Sequence, residues 1–530
     1  MKQLRTTDPR IDKSRIERTK GGLLQDSYRW VLNNPEFQQW HDHPESRLLW
    51  VKGDPGKGKT MLLCGIVDEL SKSTDHVLSF FFCQANDSRI NNAASVLRSL
   101  IYLLVYQQPS LVQHVRGDYD RAGETLFKDA NTWDTLSKIF TSILRDQRLK
   151  MAYLVIDALD ECVTGRAQLL EFIIEKSSIS PRVKWIVSGR NWPQIEEQLE
   201  KTLRKSVLSL ELNAESVAAA VDTYIQHKVD NLAGLKKYDT STKSAVQDYL
   251  YSHASSTFLW VALVCQALED PEVLDWHTLV VLHTFPTGLD ALYARMLDHI
   301  RGSRDEHICK HILATVATVH RPISLQELIT LVKLPDIISS YQDRLEKIIK
   351  ICGSFLTLRE QISDQTIDFV HQSAKDFLLG KVTHQASLEA FNWAFPLGIE
   401  DVNHIIFLRS LIALSTVLRR DMYNLKAPGF PIDKVQAPSS DPLATVRYSC
   451  VFWVDHLRDS TSDKDAPQHN ALDAIQTFVE RRYLYWLEAL SLLKVMPEGI
   501  VAITQLNSLL VCLYYLIPET KTNRDTATHR

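Results

Sequence analysis

Gly53-Asp54-Pro55-Gly56-Lys57-Gly58-Lys59-Thr60 follows the apolar run Leu48-Leu49-Trp50-Val51 and precedes another from Met61 to Leu70. The octapeptide fits G-x-x-x-x-G-K-[ST]. Its flanks predict a short buried strand before it and a helix after it, which is the context a phosphate-binding loop requires. The glycines let the backbone curl with its N–H groups turned inward, and the helix start adds about half a positive charge, so the loop is expected to cradle phosphate oxygens. Gly53, Asp54, Pro55, Gly56, Lys57, Gly58, Lys59 and Thr60 are therefore the candidate nucleotide-binding residues. Lys59 is expected to reach the β- and γ-phosphates, and the Thr60 hydroxyl to hold Mg²⁺. A chance Gly/Pro/Lys surface turn would not bring strand, helix and full motif together.

The metal needs an acidic partner at the end of a neighbouring strand, and Tyr153-Leu154-Val155-Ile156-Asp157-Ala158-Leu159-Asp160-Glu161 supplies one. Four apolar residues lead into Asp157, the expected holder of Mg²⁺ or its water alongside Thr60. Asp160 and Glu161 are the candidates for polarising an attacking water, with Glu161 preferred. Alone, the run reads as a solvated acidic turn, and the phosphate loop is what raises it above that. One strand later, Ser188-Gly189-Arg190 ends the run Val183-Lys184-Trp185-Ile186-Val187. A guanidinium there is placed to bond a γ-phosphate and to lose that bond after hydrolysis, although a strand-end Arg in a surface ion pair has the same spacing.

Further outward the pattern alternates. Val77 to Cys83, Met151 to Asp157, Val183 to Ser188 and Val207 to Leu210 read as strands, with helices at Ala93 to Val105, Trp133 to Leu144 and Arg166 to Glu175. This predicts an α/β fold, a doubly wound parallel sheet with its ligand at the carboxyl ends of the strands. Upstream, residues 1 to 20 carry Arg5, Arg10, Lys13, Arg15, Arg18 and Lys20 without apolar periodicity and read as an interdomain arm or a cut edge. After Gly21-Gly22 a helix is expected from Leu23 through Trp40, ending near Pro44, with Asp26 to Trp30 beside the base pocket. Downstream, the alternation gives way to helical patterns. The expected domains are an arm and lead-in helix over 1–46, a nucleotide domain over 47–211 and a first helical domain over 212–285. A winged-helix domain over 286–382, closed by the pair Phe355 to Leu358 and Thr366 to Val370, precedes a second helical region with a polar tail over 383–530. A Pro/Asp/Ser-rich loop from Ala427 to Pro442 interrupts the last region, and no repeat of fixed period occurs.

At 530 residues the chain is too long for one core. Lys and Arg number 60 and Asp and Glu 64, a net charge of −4, which supports neither a nucleic-acid partner nor disorder. The winged-helix pattern has no basic recognition helix to change that reading. Cys64, Cys83, Cys162, Cys265, Cys309, Cys352, Cys450 and Cys512 show no C-x-x-C and no zinc spacing, and read as reduced core thiols in a cytosolic or nuclear setting, with a cytoplasmic location expected. The polar first residues lack a secretory signal, and Leu509 to Ile517 is too short for a membrane span.

Together GDPGKGKT, YLVIDALDE, SGR and the upstream KGGLLQDSYRW resemble the NACHT domain of fungal proteins similar to NOD-like receptors, members of the STAND class of P-loop NTPases. TFLWVALV, FPTGLDALYARML, HRPISLQEL, FVHQSAKDFL, YSCVFWVDHL and YWLEALSLL are similar to the helical, winged-helix and second helical regions of that family, from about Thr6 to Leu516. The resemblance implies a molecular switch that is closed with ADP or GDP and that opens and assembles as a homo-oligomer after exchange for ATP or GTP with Mg²⁺. It implies that His371, in Phe369-Val370-His371-Gln372-Ser373, touches the β-phosphate in the closed form; by itself the residue reads as a hydrogen-bonded core His. Two departures stand out. Ala158 occupies a position where relatives often have Gly, and Ser256-Thr257-Phe258-Leu259 lacks the proline that some relatives place against the base. Base contacts, and the choice between ATP and GTP, stay unassigned. Family members usually carry an effector domain before this module and sensing repeats after it, which points to a truncated gene product or to separate effector and sensor partners.

The expected function is a nucleotide-dependent signalling switch with slow NTPase turnover, in fungal self/non-self recognition or cell death. A motor or remodelling ATPase would need a basic channel or an arginine finger. A small-molecule kinase would need a lid and an acceptor pocket, and a scaffold would bind nucleotide without releasing phosphate.

Overall fold

The structure is a computed structural model and describes residues 4–127, 131–191, 197, 205–335, 342–353, 355–360, 365–381, 385–426, 429–460 and 469–516. The chain divides between Arg295 and Met296 into two compact units.

The first unit is built on five parallel strands, β1 (Leu48–Lys52), β2 (His76–Phe82), β3 (Met151–Asp157), β4 (Val183–Gly189) and β5 (Lys205–Ser209), in the order β2-β3-β4-β1-β5. Apart from their first residues, β2 and β3 are buried along their whole length, as is β4, and strands covered by helices on both faces read as unbroken apolar runs for that reason. The doubly wound sheet is as expected, with one correction. The acidic strand is not the loop strand's neighbour, because β4 lies between them: Trp50 pairs with Val187, and Val187 with Ile156. After β1 the chain crosses to the sheet edge at β2 and then fills inward, so the strand that ends in Ser188 stands between the loop and Asp157.

The lead-in is not an arm. Pro9–Thr19 is a helix, with Pro9 at its first position and an Asp8 carboxylate oxygen accepting from the Arg10 amide at 3.1 Å. No apolar stripe announces it, because charges anchor it: Lys13 is buried and its Nζ donates to Asp68 at 2.7 Å, while Ile16 fills the space beneath. The Arg10 guanidinium lies 4.4 Å from the centre of the Tyr106 ring. The helix expected from Leu23 onward is broken into Gln25–Tyr28, a tight turn Arg29–Asn33, and Pro35–Asp42. Pro35 has no N–H to continue a helix, and the Asn34 side chain starts a new one by accepting from the amides of Glu36 and Phe37 at 3.1 and 3.2 Å. After the sheet come helices Ala214–Lys236, Thr240–His253 and Phe258–Glu269.

In the second unit, helices Glu306–Thr318, Leu325–Leu331 and Gln342–Ile351 accompany a small antiparallel sheet of β6 (Ile323–Ser324), β7 (Leu356–Glu360) and β8 (Gln365–Phe369), in the order β6-β8-β7. The expected pair thus gains a third strand, whose two residues are too short to show a period. Helices Ile399–Val417, Arg447–Asp459, His469–Leu492 and Met496–Leu516 then pack around Phe407, Leu414, Trp453, Phe478 and Trp486. Cys64, Cys83, Cys162, Cys265, Cys309, Cys352 and Cys450 are buried free thiols, and no described helix is long and apolar enough to cross a membrane.

Candidate functional site

The phosphate loop opens with a turn in which the Lys57 amide donates to the Asp54 carbonyl at 3.4 Å, with Pro55 at the second position and Gly56 at φ +80° in the third, the pattern of a type II turn. Gly58, at φ +84°, then caps helix Lys59–Leu70. Both glycines are also closely covered. A Cβ on Gly56 would lie 2.9 Å from Leu259 Cβ and Thr257 Cγ2, and one on Gly58 would lie 2.9 Å from the Phe258 ring. The segment that starts the third helix after the sheet therefore rests on the loop. The Lys59 ammonium donates to the carbonyls of Gly53 at 2.5 Å and Asp54 at 2.9 Å, and burial holds its pKa below the usual lysine value. The Asp54 amide is taken by Glu211 Oε1 at 2.7 Å, and Asn191 Nδ2 donates to Asp54 Oδ1 at 3.2 Å.

Asp157 ends β3 at 1% exposure. Its direct partners are hydroxyls: Ser188 Oγ donates to Oδ1 at 2.5 Å, and Thr60 bonds the same carboxyl. Burial pushes its pKa up. A hydroxyl beside a carboxylate at a strand end is an oxygen donor set of the kind that suits a hard cation keeping several waters, so Thr60 and Asp157 fit Mg²⁺. Among the described residues, no cluster of three or more His, Cys, Asp or Glu offers a softer metal a competing site. Asp160 and Arg190 hold each other, with Nε 3.0 Å from Oδ2 and the Arg190 amide donating to Oδ1 at 3.2 Å. Glu161 accepts from the Ala85 amide at 3.1 Å, and burial, with Asp160 as the second cause, pushes its pKa up to about 7.

The first unit thus gathers Gly53 to Thr60, Asp157, Asp160, Glu161 and Arg190 at the carboxyl ends of β1, β3 and β4. His371 belongs to the second unit, where it caps helix Gln372–Leu378. Its Nδ1 accepts from the Ser373 amide at 3.1 Å, so the neutral ring carries its proton on Nε2. Four participants escaped the sequence reading. Ser188 lies inside the Ser-Gly-Arg run, where the charge of Arg190 is the conspicuous signal and a hydroxyl is not. Glu211 follows the last strand with no motif around it. Lys20 sits in the supposed arm, yet its charge acts on both Asp157 and Glu161. Ser256 to Leu259 carries no motif for its contacts to the loop, and in the sequence it stands out only for lacking a base-contacting proline.

Residues 26–190 match the family model described as Nephrocystin 3, N-terminal, and residues 293–390 match the winged helix domain of GPI inositol-deacylase. Over 515 residues, 96% of the chain, the sequence is 60% identical to vegetative incompatibility protein HET-E-1 of Podospora anserina, and it spans 38% of that relative's length. These matches fit the NACHT-type resemblance of the sequence. Solved structures similar to the chain include Drosophila ORC bound to DNA, with a TM-score of 0.29 and 12% identity over 71% of this chain and 89% of that one. Another is the Aeropyrum pernix ORC1 protein in complex with DNA, at 0.29 and 14% over 68% and 93%. Superpositions this loose carry no argument about what the chain binds.

Proposed function

We propose, from the premise that this chain is a NACHT-type member of the STAND class of P-loop NTPases, that it is a nucleotide-dependent signalling switch. The carrying observation is the convergence of a glycine-turned loop, a lysine folded onto that loop's own carbonyls and a buried strand-end carboxylate flanked by two hydroxyls. ATP or GTP lies along the loop, with the amides at the start of helix Lys59–Leu70 and the Lys59 ammonium on its phosphates. Thr60 and Asp157 hold Mg²⁺, which when bound neutralises developing phosphate charge. Glu161, poised near neutrality, takes the proton of the attacking water. Arg190 exchanges its bond to Asp160 for one to the γ-phosphate, and Asp160 is the alternative base. His371 offers its Nε2 proton to the β-phosphate of ADP or GDP in the closed form. Turnover is slow, because a switch must hold its state, and the triphosphate form assembles as a homo-oligomer in the cytoplasm, with separate effector or sensor proteins as partners. The name of the relative, vegetative incompatibility protein HET-E-1, supports reading the outcome as fungal self/non-self recognition or cell death.

The test is to identify the nucleotide that copurifies with the chain and to measure the particle mass with diphosphate and with triphosphate. A diphosphate-bound monomer that assembles on exchange is the expected result. Lys59→Ala should abolish binding, and undiminished binding in that variant would overturn the proposal. Stoichiometric nucleotide without phosphate release would reduce the chain to a scaffold.

A further inference from the structure

We infer that Lys57 is a positioning residue that ties the phosphate loop to the turn between helices Thr240–His253 and Phe258–Glu269, so that this turn registers what the loop holds; the inference rests on the nucleotide reading above. The phosphate-loop motif tolerates any residue at this position, so nothing in phosphate binding itself calls for a lysine there. Lys59 folds back onto the loop's own carbonyls, whereas Lys57 points out of it. Its Nζ donates to the Ser255 carbonyl at 2.9 Å and to the Ser256 carbonyl at 3.0 Å.

Those two serines are unusual. Ser255 and Ser256 stand at φ +48° and +51°, consecutive left-handed residues that carry side chains. Such a conformation persists only where the surroundings impose it. Within the turn, the Thr257 amide donates to the Ala254 carbonyl at 2.9 Å and the Thr257 hydroxyl to the Ser255 carbonyl at 3.1 Å. From the loop side, the Gly56 carbonyl accepts from the Leu259 amide at 3.4 Å, and both loop glycines press against Thr257, Phe258 and Leu259. Lys57 places one ammonium where two carbonyls converge, and that convergence requires both residues to keep their left-handed shape. A shift of the loop on taking up a polyphosphate stretches or breaks these bonds. The turn then relaxes, and the direction in which helix Phe258–Glu269 leaves the loop changes with it.

Backbone hydrogen exchange over residues 254–262 of the full chain, with and without ADP–Mg²⁺ or ATP–Mg²⁺, tests this in Lys57→Met and Lys57→Arg. Without ligand, Lys57→Met, which removes the bonds to both the Ser255 and the Ser256 carbonyl, should speed exchange in this segment at least about tenfold, and Lys57→Arg should restore it. With ligand, the wild type should lose protection at 254–262, and Lys57→Met, which has no such bonds to break, should bind about fivefold more tightly and show no such change. Ser255→Gly, which keeps the lysine and both carbonyls, should retain the ligand response. Unaltered ligand-free exchange in Lys57→Met, or a preserved ligand response in it, would overturn the inference. If the wild type binds neither nucleotide, the nucleotide reading and the coupling fall together, while the ligand-free exchange still decides whether Lys57 holds the turn.

Discussion

Asp157 at the end of β3 and Glu327 in helix Leu325–Leu331 are carboxylates buried to 1% and 3% exposure, and the chain treats them in opposite ways. Glu327 is saturated. Oε2 accepts from the Ser324 amide at 2.8 Å and Arg321 Nη1 at 3.0 Å, while Oε1 accepts from Arg321 Nη2 at 2.6 Å and the Tyr448 amide at 2.9 Å. The polar network runs on from the Tyr448 hydroxyl to His456 at 2.6 Å and from His456 to Asn403 at 2.6 Å, with burial lowering the His456 pKa to about 3 so that the ring stays neutral. That carboxylate joins elements of the second unit. Asp157 instead meets neutral hydroxyls at a strand end, and its raised pKa records a charge whose direct partners are not cationic. A buried carboxylate supplied with a guanidinium and backbone amides is a clamp; one met only by hydroxyls lacks a compensating charge, which a bound cation would supply.

The largest expected effect breaks the clamp. Glu327→Ala strands Arg321 and two backbone amides and should cost about 3–5 kcal/mol in chemical unfolding, with nucleotide affinity little changed. Asp157→Asn should do the reverse, lowering Mg²⁺ affinity at least about tenfold while leaving the melting temperature unchanged or higher. Equal losses of stability in the two variants would erase the distinction.

The next effect sharpens it through pH. Glu161 moves from an ordinary 4.5 to about 7 on folding. Between those values the folded chain keeps a proton that the unfolded chain has released, so stability falls as pH rises through the window, by up to about 3 kcal/mol. Urea titrations at about pH 5 and about pH 7.5 should show a slope that Glu161→Gln flattens and Glu327→Gln does not. A slope that survives Glu161→Gln would move the buried proton elsewhere.

The smallest concerns the residue after Asp157. Ala158 sits at φ +53° and ψ +54°, the left-handed region that a Cβ disfavours, with its amide donating to Ser188 Oγ at 2.9 Å. Here lies a physical reason for the glycine that the resemblance leads one to expect at this position. Ala158→Gly should stabilise the chain by about 0.5–1 kcal/mol, readable as a rise of about 2 °C in thermal unfolding. No gain would mean that the Ser188 bond, and not backbone strain, governs the position.

Much of this was legible without coordinates. The loop, the strand ending in Asp157 and the alternation that builds a parallel sheet are local patterns, because a glycine-turned motif and a buried strand each write their requirement into a few consecutive residues. The arm that proved to be a helix shows the limit: Lys13 is anchored by Asp68, on another helix, and an ion pair across that separation leaves no period in the sequence.

The amino-acid sequence by itself determined that the chain has a phosphate loop, an acidic strand end and a doubly wound sheet around them, since those follow from short-range sterics and apolar spacing. Only the tertiary structure decided that β4 separates loop from acid, that Ser188 and not a neighbouring cation holds Asp157, that Arg190 rests on Asp160, and that Lys57 grips a turn in a helical region far along the chain. Each of these is set by which distant groups the packed core brings within bonding distance, and no local rule carries that information.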